Sequence, residues 1–180
     1  MKKILSNVRT LIVLFIVTVL TLGFYAYMLL RPISYGMEYR NVTEYDGGTF
    51  EGIITFKSDD TMINRNTNFD QELESFYYYK DGYVFSVMAQ TREGYEAEVA
   101  EINEDFEKAI ATPFYAAKIN AFRQVFEGPD GYSTTYTCKD AITFAVIGGV
   151  VELLLIALAT SSFIFIKNTN AEEIKKWLVK

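Results

Sequence analysis

Two long apolar runs bracket a polar, aromatic-rich middle. Leu11 to Leu30 reads LIVLFIVTVLTLGFYAYMLL, and Ala141 to Ile166 reads AITFAVIGGVVELLLIALATSSFIFI. A helix that crosses a hydrocarbon core needs roughly 20 predominantly apolar residues. The pattern therefore predicts two transmembrane helices, 11–30 and 141–166, with short flanks at 1–10 and 167–180. The middle, 31–140, has a different period. Tyr35, Met37 and Tyr39 alternate with Gly36 and Glu38, and Phe50, Gly52, Ile54 and Phe56 alternate with Glu51, Ile53, Thr55 and Lys57. Alternation marks half-buried strands. Asp46-Gly47-Gly48 and Ser58-Asp59-Asp60 read as turns, with a short strand from Thr61 to Arg65 after the second. Leu73–Tyr79 and Tyr83–Ala89 are aromatic and β-prone. Lys80-Asp81-Gly82 between them is the strongest hairpin signal, because glycine readily supplies the positive φ of a tight turn.

After Gln90 the spacing turns helical. Tyr95, Val99, Ile102, Phe106 and Ile110 recur every three or four residues, with seven acids and no base over Glu93–Glu107. Pro113 is expected to kink or end this helix. Ile119, Phe122, Val125 and Phe126 carry a second apolar stripe up to Gly128-Pro129-Asp130-Gly131, and Tyr132–Cys138 is a last β-prone stretch. The expectation is an α+β membrane protein. Two transmembrane helices flank an extracytoplasmic antiparallel β-meander of about five to six strands, covered by a kinked amphipathic helix.

Charge sets the orientation. The middle carries 10 Lys+Arg against 20 Asp+Glu, a net of −10. The first flank holds Lys2, Lys3 and Arg9 with no acid, and the last holds Lys167, Lys175, Lys176 and Lys180 against Glu172 and Glu173. Basic flanks stay in the cytoplasm. Both termini are thus expected there and the central domain outside, in the cell membrane. The first run is longer than the apolar stretch of a cleaved signal peptide, about 7–15 residues. It ends in Tyr25, Tyr27, Met28, Leu29 and Leu30 rather than a small-x-small site, which is the pattern of an uncleaved signal anchor. In the tail, Ile174, Trp177 and Leu178 fall on one side of a short helix over 170–180, where Trp177 suits the headgroup level.

There is one cysteine, Cys138, and no histidine. A Ser-His-Asp triad, a Cys-His pair and histidine-ligated zinc are excluded. A lone cysteine forms no internal disulfide. It is a small apolar residue at the membrane edge, or else an intermolecular bridge or reactive thiol. No P-loop or dinucleotide fingerprint occurs, and the acidic middle disfavours nucleic acid. Asn64, Asn66, Asn68, Asp70 and Glu72 alternate as oxygen donors, but without the glycine and early aspartates of a calcium loop they read as a solvated strand edge. Asn41-Val42-Thr43 is a glycosylation sequon that matters only in a eukaryotic secretory pathway. No cofactor, metal or catalytic residue is expected.

Glu152 is the one charged residue inside either apolar run. An ionised, unpaired carboxylate near a bilayer centre costs several kcal/mol, so such groups face protein or water. Ala141, Ala145, Gly148 and Gly149 share its side of the helix. Their small-xxx-small spacing lets another helix approach closely. The first run's Thr18, Thr21 and Tyr25 are the candidates to meet the carboxyl with a hydroxyl. On the aromatic hairpin, Tyr77 and Tyr79 fall on one face and Phe76 and Tyr78 on the other. One set fills the core, and the hairpin, with Tyr83, is the candidate outer binding surface.

These residues suggest a non-enzymatic membrane subunit. Its outer domain and second helix would bind a larger membrane complex of the transporter or envelope-assembly type. One alternative is a homo-oligomeric channel or transport protein with Glu152 facing the pathway. Another is an extracytoplasmic ligand-binding or sensor domain that signals through a partner chain. The expected partners are the lipid bilayer and either a membrane protein or further copies of this chain. The two-span plan with both ends inside is similar to that of some trimeric ligand-gated channels and of chain-length regulators of surface polysaccharides. The disulfides of the first and the proline-rich stretch of the second are missing here.

Overall fold

The computed structural model describes residues 8–66 and 71–169. Asn68, Asp70 and the 170–180 tail therefore lie outside the described residues. The elements run α1 (Val8–Leu30), β1 (Glu38–Tyr45), β2 (Gly48–Phe56), β3 (Thr61–Asn66), β4 (Gln71–Lys80), β5 (Tyr83–Val87), α2 (Arg92–Glu104), α3 (Phe106–Ala111), β6 (Ala116–Ile119), β7 (Arg123–Glu127), β8 (Ser133–Thr137) and α4 (Lys139–Thr169). The chain divides into two compact units. One comprises Met1–Leu29 with Phe144–Lys180, and the other Leu30–Thr143. The first contains two helices long and apolar enough to cross a membrane.

The second unit is α+β, but its sheet is larger than the meander read from the sequence. Eight antiparallel strands follow one another in chain order and close into a barrel, β1 back to β8. Full closure removes the free edges that an open meander would expose. The extra strands, β6 and β7, occupy the segment whose apolar spacing suggested a helix. The spacing of Ile119 and Phe122 comes instead from a hairpin corner. Asn120 N–H donates to the Arg123 carbonyl at 3.0 Å, and Asn120 Oδ1 accepts from the N–H groups of Phe122 (2.9 Å) and Arg123 (3.0 Å). A side-chain oxygen that mimics a backbone turn in this way competes with helix formation. Ile119 then pairs with Gln124, and Ala117 with Phe126.

The helical reading of 92–111 holds, with its break at Asp105. Thr91 Oγ1 accepts from Gly94 N–H at 3.2 Å and starts α2, a good N-cap arrangement. Asp105 leaves helical geometry (φ −135°, ψ 67°) and caps α3 by accepting from Lys108 N–H. The carboxylate suits the positive helix start. The helix ends before Pro113, whose ring disfavours a helical residue at Thr112. The Lys80-Asp81-Gly82-Tyr83 hairpin forms as the sequence indicates. Lys80 pairs with Tyr83, and both central residues have positive φ, 50° at Asp81 and 85° at Gly82. That is the type I′ geometry that matches strand twist.

One end of the barrel, where β1 begins and β8 ends, is filled. Tyr39, Phe56 and Tyr77 stack edge to face, with ring centroids 5.5 and 5.0 Å apart. Ile33, Cys138 and Ala141 pack against the same core. Fully burying an aromatic or aliphatic side chain contributes about 1.5–3 kcal/mol. The polar groups here are matched as well. Tyr39 Oη accepts from Ser34 N–H at 2.9 Å and donates to the Asn120 carbonyl at 3.0 Å, while Ser34 Oγ donates to the Ala121 carbonyl at 2.8 Å. A second core lies outside the barrel wall, where α2 and α3 cover β5 and β6 through Phe85, Ile102, Ala109 and Ala116.

Candidate functional site

The helix-pair unit gathers most of the residues that the sequence singled out around Glu152. Tyr25 of α1 lies against the small residues of α4. Its hydroxyl donates to the Ala145 carbonyl at 2.8 Å. A methyl group added at Gly148 would lie 2.8 Å from Tyr25 Cδ2, and one at Gly149 3.0 Å from Tyr25 Oη. The glycines therefore make room for one ring. Phe24 and Phe144 add an edge-to-face contact with centroids 6.2 Å apart. Ala145, Gly148 and Gly149 meet α1 as a small-residue face does. Ala141 is elsewhere: it packs in the core of the barrel unit beside Cys138 and Tyr39.

Glu152 is 6% exposed, and its Oε2 has no hydrogen-bond partner. The hydroxyls considered as its partners are directed to backbone carbonyls instead. Thr18 donates to Leu14 O at 2.8 Å, Thr21 approaches Val17 O (2.9 Å) and Thr18 O (3.2 Å), and Tyr25 donates to Ala145 O. Threonine in a helix interior often bonds back to the preceding turn, since the carbonyl four residues earlier is within reach of its short side chain. Farther along α4, Ser162 is 1% exposed and its Oγ likewise lacks a partner. The pair thus buries polar atoms that its own described residues leave unmatched.

In the barrel unit the aromatic hairpin packs on both faces. Tyr77 points into the barrel and donates to the Lys57 carbonyl at 2.8 Å, with Tyr79 beside the same core. Tyr78 and Tyr83 lie under α2 and α3, where Tyr78 Oη donates to Asn103 Oδ1 at 3.1 Å and Tyr83 meets Phe106 edge-on. Burial, reinforced by Tyr35, pushes the Tyr77 phenol far above its ordinary value. Tyr39 is raised chiefly by burial, against the lowering effect of its hydrogen bond with Ser34 N–H. The Cys138 thiol is buried, free and raised by desolvation. It sits in the core rather than on a reactive surface.

A groove of about 520 Å³ runs along α2 and α3, lined by Glu98, Glu101, Asp105 and Lys108. Tyr115 Oη donates to Glu98 at 2.9 Å there, and burial followed by that carboxylate raises its pKa. Among the described residues no group of three Asp, Glu or Cys side chains is placed to hold a metal ion. Sequence reading did not single out Gly52 and Tyr136. A methyl group at Gly52 would lie 2.9 Å from Tyr136 Oη. An isolated glycine within a strand is the signal that another group approaches closely.

Comparison of the chain with protein-family models, with curated proteins and with solved structures finds no match.

Proposed function

We propose that the protein is a non-enzymatic membrane subunit, in which a two-helix anchor carries an extracytoplasmic barrel and joins a larger membrane complex through α4. The large apolar side chains on the outside of the helix pair support placing it in lipid: Phe15, Leu20, Val146 and Leu153 are all exposed. Apolar surface on this scale marks a membrane or protein contact. The observation that carries the assignment is Glu152. A buried carboxyl with an unmatched oxygen is costly in hydrocarbon. The Thr18, Thr21 and Tyr25 hydroxyls are engaged with carbonyls, so a donor from another chain relieves that cost.

A photo-crosslinking residue on the exposed face of α4, beside Glu152, tests this in native membranes. A discrete crosslinked product is expected from the wild type and from Glu152→Gln, which keeps the hydrogen bonds. Glu152→Leu should lose it while the protein stays inserted. An unchanged product from the leucine variant refutes the assignment. Mass measurement of the product separates a foreign subunit from a second copy of this chain.

A further inference from the structure

The outer face of β1 meets the start of α4 across the barrel seam. Tyr39 points into the core, so Glu38, Arg40 and Val42 project outward. Glu51 pairs with Val42 and shares that face. The β1–β8 ladder consists of the single pair Arg40↔Thr137. Two residues beyond Thr137, Lys139 opens α4. Between these elements lies a cavity of about 280 Å³, lined by Glu38, Arg40, Val42, Glu51, Lys139 and Asp140. All six residues belong to the barrel unit.

The charges in this cavity are of two kinds. Arg40 is committed, since it pairs with Glu38 and, at 2.9 Å, with Glu51. That wall sets one guanidinium against two carboxylates. Lys139 and Asp140 are exposed, and the side chain of neither has a hydrogen bond or ion pair among the described residues. Adjacent residues on a helix do not face each other, so the two do not neutralise one another. The cavity therefore offers one unpaired cation and one unpaired anion, beside a wall with a surplus of negative charge. Val42, 56% exposed, adds an apolar side. The three carboxylates are not placed to share a metal ion.

We propose that this cavity binds the headgroup of a zwitterionic phospholipid that carries a primary ammonium, as phosphatidylethanolamine does, with its phosphate on Lys139 and its ammonium toward Asp140 and the carboxylate wall. The proposal rests on the reading that the helix pair lies in lipid. Location, charge and volume select this occupant. Lys139 is the first residue of an apolar helix long enough to cross a membrane, which sets the cavity at headgroup level. A lone phosphate answers Lys139 and leaves the carboxylates unmatched, and a lone cation does the reverse. A primary ammonium brings three N–H donors to the carboxylates, whereas a trimethylammonium brings none. Pockets that enclose whole small molecules start at about 300 Å³. A cavity just below that size takes a headgroup and leaves the acyl chains outside.

The test reconstitutes the full chain in phosphatidylcholine nanodiscs that contain equal minor fractions of phosphatidylethanolamine and phosphatidylglycerol. Native mass spectrometry then reads which lipids stay bound. Normalised to mole fraction, phosphatidylethanolamine should be retained about three- to fivefold over either other lipid, the effect of a partly exposed ion pair. Asp140→Asn should erase its preference over phosphatidylglycerol, and Lys139→Gln should lower retention of both. Near-UV circular dichroism should show the tyrosine core of each variant unchanged. Equal retention of the three lipids by the wild type overturns the proposal without any variant, and so does an unchanged preference in a folded Asp140→Asn protein. Displacement of the bound lipid by glycerophosphoethanolamine at equal concentration would mark a site for a soluble compound and overturn the lipid assignment. If the chain leaves the nanodisc on flotation, the placement in lipid falls and the proposal with it. If it stays and shows no preference, only the proposal falls.

Discussion

Gly148→Ala tests the helix contact with one methyl group. The added carbon would lie 2.8 Å from Tyr25 Cδ2 and 2.9 Å from Cε2, whereas carbon atoms pack best at about 3.5–4.0 Å. The ring cannot slide freely, because its hydroxyl is bonded to the Ala145 carbonyl. Overpacking of this kind costs about 1–3 kcal/mol. Displacing the ring also forfeits an interhelical hydrogen bond, on average about 0.6 kcal/mol in a membrane protein. Against this, alanine improves helix propensity by about 1 kcal/mol over glycine. The net expectation is a loss of about 1–2 kcal/mol. Gly23→Ala is the internal control, since a methyl group there meets nothing within 4 Å. It gains propensity without a clash, so the two variants should differ by about 2–3 kcal/mol. The assay is reversible dissociation of the helix pair in dodecyl maltoside titrated with sodium dodecyl sulfate, followed by energy transfer between dyes at positions 9 and 167. Gly148→Ala should dissociate at lower sodium dodecyl sulfate fraction than wild type, and Gly23→Ala at an equal or higher one. If both variants shift upward together, Tyr25 does not pack on Gly148 and the contact described for α1 and α4 is wrong.

Other outcomes follow from the barrel. Asn120→Ala removes the oxygen that accepts from two N–H groups at the β6–β7 corner. It should destabilise the domain by about 1–2 kcal/mol in thermal melts, whereas a helical 119–126 would gain from the alanine. Alkaline pH should unfold the barrel. Tyr39, Tyr77, Tyr115 and Tyr136 all have pKa values raised by burial. Their neutral forms support folding fully below the unfolded tyrosine value of about 10, and stability falls as pH rises above it toward the folded values. Tyrosinate absorbance at 295 nm and loss of near-UV dichroism should therefore coincide above pH of about 10. Cys138, buried with a raised pKa, should resist iodoacetamide at pH 8 and react once the domain is unfolded. Rapid labelling of the folded protein would contradict its place in the core.

Local chemistry was legible in the sequence wherever one residue type decides the backbone. Asp81-Gly82 announces its turn through the positive φ it must adopt, whereas the Thr91 cap of α2 emerged only from the structure. Glu152 and the glycines beside it were visible because a charge within an apolar run has few explanations. The β6–β7 hairpin was not visible, because a tight corner separates apolar residues by three positions, as a helical turn does. Only the Asn120 side chain distinguishes the two. Barrel closure was also hidden, since it rests on Arg40 meeting Thr137 and no local pattern encodes that pairing. The surroundings of Glu152 were misread for a related reason. A threonine hydroxyl on the other helix looks free in sequence but finds a carbonyl on its own helix first.

The single-pair seam between β1 and β8 also fixes the order of assembly during synthesis. Strands β1 to β7 can pair with neighbours as they emerge, most across short turns and β5 with β6 across the connection that holds α2 and α3. Arg40 must wait until Thr137 has been made, the longest separation in the ring and the one with the largest loop-closure cost. Until then the β1 edge is an open template for mispairing with another nascent copy. Because α4 begins at Lys139, the segment that seals the ring is also the one that leads into the second apolar helix. The last strand of the barrel and the start of that helix are therefore synthesised in immediate succession. Residues around the seam should be sensitive to translation rate and chaperone supply before they are sensitive to equilibrium stability.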